Sequence, residues 1–167
     1  MSVVVWITEG TWPSCVDAAR VHAPQDTEIV LLHVGDQEVP GVAHGAFAGL
    51  LGRGHRRGPQ AAQGWGSDPG NRVEELADTA GRQLLAAAAD RLARACTRVE
   101  RTGRIEREVV AAADGAELLV LARDGHRSRP GPHSLGPASR YVVDHAPCPV
   151  LLIWPDELPV RTAPGPD

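Results

Sequence analysis

The sequence predicts an α/β fold in which helices cover both faces of a parallel sheet, and three observations point to it. Strand-like and helix-like segments alternate along the 167 residues, the order from which parallel sheets with right-handed crossovers are built. Two segments, EIVLLHV at 28–34 and Leu118-Leu119-Val120-Leu121, are near-continuous apolar runs, as expected of strands buried on both faces. The chain then turns sharply polar through Arg123, Asp124, Gly125, His126, Arg127, Ser128 and Arg129. Ligands of open parallel sheets sit at the carboxyl ends of strands, where strand order reverses.

The elements follow in order. Residues 3–7 are a short β-branched strand that stops at Thr8-Glu9-Gly10-Thr11, and Pro13 opens a helix ending near Ala23, because proline suits the first helical position. A turn at 24–26 leads into the strand at 28–34, closed by Gly35-Asp36. Residues 38–70 hold nine of the 18 glycines (41, 45, 49, 52, 54, 58, 64, 66 and 70), so this interval reads as a long mobile or partly disordered insertion. Val42, Ala46, Phe47, Leu50 and Leu51 have helical spacing within it. Asp68-Pro69 is a cap followed by proline, and Val73, Leu76, Ala77, Ala80, Leu84, Ala87, Ala88, Leu92 and Ala95 recur at three and four residues, predicting one amphipathic helix to about Cys96. A weak strand near 98–101, a short helix over 105–113, a break at Asp114-Gly115 and a strand over 117–122 come next. Gly136-Pro137 opens the helix that carries Tyr141, and Pro149 to Trp154 (PVLLIW) form the last strand. Residues 1–154 thus make one domain, and the tail 155–167, with prolines at 155, 159, 164 and 166, is expected to be extended or disordered.

Composition narrows the function. The net charge of −4 provides no global basic field, which argues against nucleic acid as the principal partner. All 17 basic residues are arginine; without lysine there is no P-loop lysine and no Schiff base. Cys15, Cys96 and Cys148 lack CxxC or metal-ligand spacing, so a disulfide framework is not expected and a reducing, cytoplasmic setting is. The start, MSVVVWITEG, has no basic n-region, and no apolar run approaches the roughly 18 residues a membrane span needs. His126, His133, His145 and Cys148 can be drawn as a zinc set, but no pair has i, i+4 spacing, and no metal is expected. Ser14, Ser134 and Ser139 lack a GxSxG context, so a hydrolase nucleophile is not expected, and with no metal-binding carboxylate pair and no water-positioning base an ATP-hydrolysing enzyme is not expected either.

Several of these segments together resemble the universal stress protein family. Glu9-Gly10-Thr11-Trp12-Pro13-Ser14 is similar to its Asp-Gly-Ser-x-x-Ser opening, Leu31-Leu32-His33-Val34 to its second strand, and Gly136 through His145-Ala146-Pro147-Cys148-Pro149-Val150 to its C-terminal signature. The resemblance implies a Rossmann-like, adenine nucleotide alpha hydrolase-like five-stranded sheet in the order 3-2-1-4-5. It also implies a homodimer joined through the last strands, for which PVLLIW is a suitable apolar edge. Residue by residue, it implies an adenine-nucleotide (ATP) site lined by Thr8, Glu9, Gly10, Thr11, Val34, Ala122, Arg123, Gly125, Gly136, Ala138 and Ser139.

The phosphate motif of one branch, Gly-x-x-Gly, nine residues, Gly-(Ser/Thr), is met only in part. Ala122 stands at the first glycine, Gly125 and Gly136 match, ten residues (126–135) separate them, and Pro137 replaces the Ser or Thr. Proline offers neither hydroxyl nor N–H. Two charge-assisted hydrogen bonds at about 1.5–3 kcal/mol each correspond to roughly two to four decades of affinity. Compensation would come from the N–H groups of Ala138 and Ser139 and from Arg123, Arg127, Arg129 and His133. Glu9 is either a ligand contact or a solvated turn residue, and the arginines either an anion site or a solvated charge run. His33 reads as a packed or hydrogen-bonded residue, and Trp6 and Trp154 as core or dimer-interface residues. Two functions remain on sequence: a dimeric stress-response module with a degenerate ATP site, or a structural or regulatory dimer that binds no nucleotide and acts through protein partners.

Overall fold

The computed structural model describes residues 1–36, 69–124 and 134–155, with side chains from residue 75 onward in the second helix. The order is β1 (Ser2–Trp6), α1 (Trp12–His22), β2 (Glu28–Asp36), α2 (Pro69–Leu92), β3 (Thr97–Gly103), α3 (Ile105–Ala112), β4 (Leu118–Ala122), α4 (Pro137–His145) and β5 (Val150–Ile153). The five strands form one parallel sheet in the order β3-β2-β1-β4-β5, the fold class and strand order expected from the sequence. The 38–68 stretch, its amphipathic segment at 42–51 and the tail beyond residue 155 lie outside the described residues.

β1 is central because it is apolar on both faces. Val3, Val5 and Ile7 point to one layer with Cys15, Val16 and Ala19 of α1 and Leu85, Ala88 and Leu92 of α2. Val4 and Trp6 point to the other, with Val109 of α3 and Val142 of α4. The alternation continues outward: Ile29 and Leu31 share the first layer and Leu32 and Val34 the second. Ile7, Ile29, Leu31, Leu32, Leu119 and Leu121 are fully buried, each contributing about 1.5–3 kcal/mol of burial. β3, at one edge, is polar, with Arg98, Glu100 and Thr102 exposed, as suits a strand that must resist further pairing. β5, at the other edge, is half-buried along all four residues.

Two sequence expectations are corrected. The second helix stops at Leu92, not near Cys96, because Ala93 turns left-handed (φ 54°) and the following Arg94 reaches back to the α1–β2 turn. Its Nη2 donates to the carbonyls of Pro24 (3.0 Å), Gln25 (2.9 Å) and Thr27 (2.8 Å), contacts a continuing helix would carry away. The apolar seam is also shorter than its periodicity suggests. Leu85, Ala88 and Leu92 are buried, whereas Ala77 and Ala80 are exposed and Leu76 is 70% exposed, since β2 and β3 pass only under the later turns.

The two helices on the first face are also tied by an ion pair. Arg91 donates from Nε and Nη2 to the two carboxylate oxygens of Asp17 at 3.0 and 2.6 Å. This hydrogen bonding holds the Asp17 carboxyl below its ordinary range. Both side chains are largely exposed, so the pair is worth under about 1 kcal/mol.

Candidate functional site

The switch in strand order falls between β1 and β4, which pair Val3 with Leu118, Val4 with Leu119 and Val5 with Val120. Continuing that register sets the turn after β1 beside the residues that follow β4. On the other side, Trp6 pairs with Leu32, which brings Thr8 level with Val34. The carboxyl edge of the sheet therefore runs Val34, Thr8, Arg123 and, beyond β5, Trp154. Helix α1 leaves this edge on one face and α4 on the other, so two helix N-termini flank one crevice. Such ends present unpaired N–H groups and partial positive charge.

The β1 turn is preorganised. Thr8 and Thr11 hydroxyls hydrogen-bond at 2.6 Å, Trp12 N–H donates to the Thr8 carbonyl at 3.1 Å, and Gly10 takes φ 82°, a conformation that favours glycine. Glu9 and Gly10 at the tip are exposed. Beneath the turn, His33 Nδ1 lies 3.1 Å from the Ile7 carbonyl oxygen; a carbonyl can only accept, so Nδ1 carries the proton. This is the hydrogen-bonded role expected for His33. Trp6 is buried in the core, as its sequence reading allowed.

On the β4 side the geometry adds a residue that the sequence reading did not single out. Asp124 Oδ2 accepts a 2.5 Å hydrogen bond from the backbone N–H of Gly136, the N-cap residue of α4. Its own N–H donates to the Ser134 carbonyl at 2.9 Å. Arg123 donates from Nη1 to Ser134 Oγ at 2.8 Å, and its guanidinium carbon lies 4.8 Å above the Trp154 ring. Both charges of the Arg123-Asp124 pair are thus held against the start of α4. The methyl of Ala122, where the motif has glycine, belongs to the α1-side core, while Ser139 is 5% exposed and Ala138 is half-buried. Only a sequence signal that linked an aspartate to an N–H twelve residues downstream would have found Asp124.

Ten of the eleven sequence-predicted residues lie among the described residues and fall into three groups. Thr8, Glu9, Gly10, Thr11 and Val34 lie at the ends of β1 and β2; Ala122 and Arg123 end β4; Gly136, Ala138 and Ser139 begin α4. Gly125, Arg127, Arg129, His126 and His133 lie outside the described residues. Among the described residues no group of His, Cys, Asp or Glu is placed to hold a metal ion, and no helix is long and apolar enough to cross a membrane.

Comparison with known proteins agrees with this architecture. The family model described as "Universal stress protein family" matches residues 16–153. The fold is similar to a universal stress protein solved in complex with cAMP, at 16% identity, TM-score 0.55, 92% of this chain and 97% of the other. It is similar to an Arabidopsis thaliana universal stress protein family protein with AMP bound, at 19% identity, TM-score 0.53, 96% of this chain and 98% of the other. Universal stress protein UspA from Lactobacillus plantarum gives 20% identity, TM-score 0.52 and coverages of 91% and 97%. No curated protein matches the chain. With the family model spanning most of its length, the chain belongs to the universal stress protein family.

Proposed function

We propose that this protein is a cytoplasmic, homodimeric stress-response or regulatory binding module whose crevice between β1 and β4 is a degenerate adenine-nucleotide site, and that it is not an enzyme. The observation that carries the reading is the convergence of the α1 and α4 N-termini on one switch point, with the Thr8–Thr11 turn and Val34 on one side and Gly136, Ala138 and Ser139 on the other. Relatives of the same fold are described with AMP or cAMP bound, which supports an adenine ligand. Thr8, Glu9, Gly10, Thr11 and Val34 would meet the base and ribose; Ala122, Arg123, Gly125, Gly136, Ala138 and Ser139 would meet the phosphates.

Pro137 and the Asp124–Gly136 hydrogen bond favour a second reading, a dimer that acts through protein partners without nucleotide. Calorimetric titration of adenosine, AMP and ATP with magnesium separates the two. Saturable binding of any of them supports the site, and no binding at millimolar concentration sinks it. ATP turnover above a buffer control would refute the non-enzymatic assignment.

The proposed dimer uses the β5 edge. Leu119 N–H donates to the Pro149 carbonyl and Arg123 N–H to the Ile153 carbonyl, so by strand alternation Val150 and Leu152 direct their backbone groups outward. Leu152→Pro removes an outward N–H and leaves pairing with β4 in place. Sedimentation should show a dimer for the wild type and a shift to monomer for the variant; a monomeric wild type defeats the proposal.

A further inference from the structure

We infer that Asp124 is a built-in anion that occupies the N-terminus of α4 and sets the crevice against phosphate-bearing ligands. The inference rests on the nucleotide-site reading above and goes further by assigning the discrimination to one carboxylate. Three observations meet at this position. The Asp124 carboxylate sits on the Gly136 N–H at 2.5 Å. Pro137, next in the chain, has no N–H to offer in its place. A Cβ added at Gly136 would lie 2.9 Å from Asp124 Oδ2, so the carboxylate fills the space that a phosphate oxygen would need to approach this backbone.

The surrounding contacts hold the arrangement. The Asp124 N–H is bonded to the Ser134 carbonyl, which fixes its backbone, and the Arg123 guanidinium is engaged by Ser134 Oγ and the Trp154 ring. A negative charge at a helix N-terminus is stabilised by the macrodipole, so a second anion must displace the first or sit beside it against repulsion. The crevice is therefore expected to rank adenosine above AMP and AMP above ATP, the reverse of a site that uses its helix N-terminus for phosphate. Asp124→Asn keeps a side-chain oxygen for the Gly136 N–H and removes only the charge.

The test compares the full-length wild type with Asp124→Asn and Asp124→Ala, each checked for an unchanged melting profile. Adenosine, ATP and inorganic tripolyphosphate are the probes, and the Gly136 amide resonance is the site-specific readout. Asp124→Asn should bind tripolyphosphate about tenfold or more tightly than the wild type, with the Gly136 amide shifting only in the variants, and the affinity ratio of ATP to adenosine should rise by a similar factor. Equal tripolyphosphate binding by wild type and both variants overturns the role of Asp124. If adenosine binds all three proteins and the ATP-to-adenosine ratio does not move, the inference fails while the adenine site stands. If adenosine binds none, the adenine reading fails, and the tripolyphosphate comparison still decides the role of Asp124.

Discussion

Gly81→Ala places packing and helix propensity in opposition at one atom. Gly81 lies in α2, where alanine is favoured over glycine by about 0.8–1.0 kcal/mol, so a helix considered alone would gain. In the structure, however, a Cβ at this position would collide with Glu100 Oε1 and lie 2.7 Å from His33 Cδ2 and 3.0 Å from His33 Nε2. Glu100 is exposed and can swing away at little cost. The His33 ring cannot move so easily, because Nδ1 is bonded to the Ile7 carbonyl and His33 is paired across the sheet with Glu100. Overpacking of this kind costs about 1–3 kcal/mol, which exceeds the propensity gain and predicts a net loss of about 1 kcal/mol. For a domain of this size that is a fall in Tm of roughly 2–4 °C, measured by thermal and urea unfolding. The decisive comparison is a double-mutant cycle with His33→Ala. With the ring gone, Gly81→Ala should become stabilising; if it stabilises the wild-type background as well, the close approach of α2 to the sheet is wrong.

Two further outcomes follow from particular contacts. Ala93 ends α2 with φ 54°, a conformation that costs an L-residue roughly 1–2 kcal/mol, so Ala93→Gly should raise stability by about 0.5–1 kcal/mol after glycine's greater unfolded-state entropy is counted; an unchanged or lower urea midpoint contradicts it. Burial pushes the Cys15 thiol up to about 12 from an ordinary 9.0. The folded state therefore keeps a proton that the unfolded state releases, and the contribution is complete below about pH 9 and lost at about 1.4 kcal/mol per pH unit from there to about 12. Cys15 should resist alkylation at pH 8 until the chain is unfolded. Labelling of native Cys15 at the rate of a free thiol, read by mass spectrometry, would show that α1 does not seal it.

The sheet was legible because parallel strands covered on both faces cannot hide their composition. Ser2–Trp6, Glu28–Asp36 and Leu118–Ala122 are apolar runs bounded by polar or glycine-bearing turns, and each lies within one or two residues of its expected span. Even the polar β3 was placed, as a weak strand near 98–101 that the fold extends to Thr97–Gly103. Local pattern failed where distant groups decide. Ala93 and Ala95 continue a good helical sequence, yet the helix stops because the Arg94 guanidinium finds three carbonyls in the α1–β2 turn. Leu76 keeps the helical period but is 70% exposed, since periodicity reports which residues share a face and not how far the neighbouring layer extends.

The same distinction governs the site. The turn after β1 could be read locally, because Gly10 and the two threonines lie within four residues and shape one another. The β4 side could not, since its chemistry depends on a pairing across the residues between 124 and 136. The motif left Arg123 as either an anion contact or part of a solvated charge run, whereas the fold turns Arg123 toward Ser134 and Trp154 and gives the helix end to its neighbour, Asp124. A phosphate cradle works by offering N–H groups with no negative charge of the protein's own upon them. Here Pro137 removes one donor and Asp124 engages another, so the two departures act on the same ligand atoms in the same direction. Restoring Pro137→Ser alone should therefore recover less phosphate affinity than Pro137→Ser combined with Asp124→Asn, because a new donor beside a resident carboxylate still faces its charge. Equal gains from the single and double variants, measured with ATP by calorimetry, would show that the missing donor and not the resident charge limits the site.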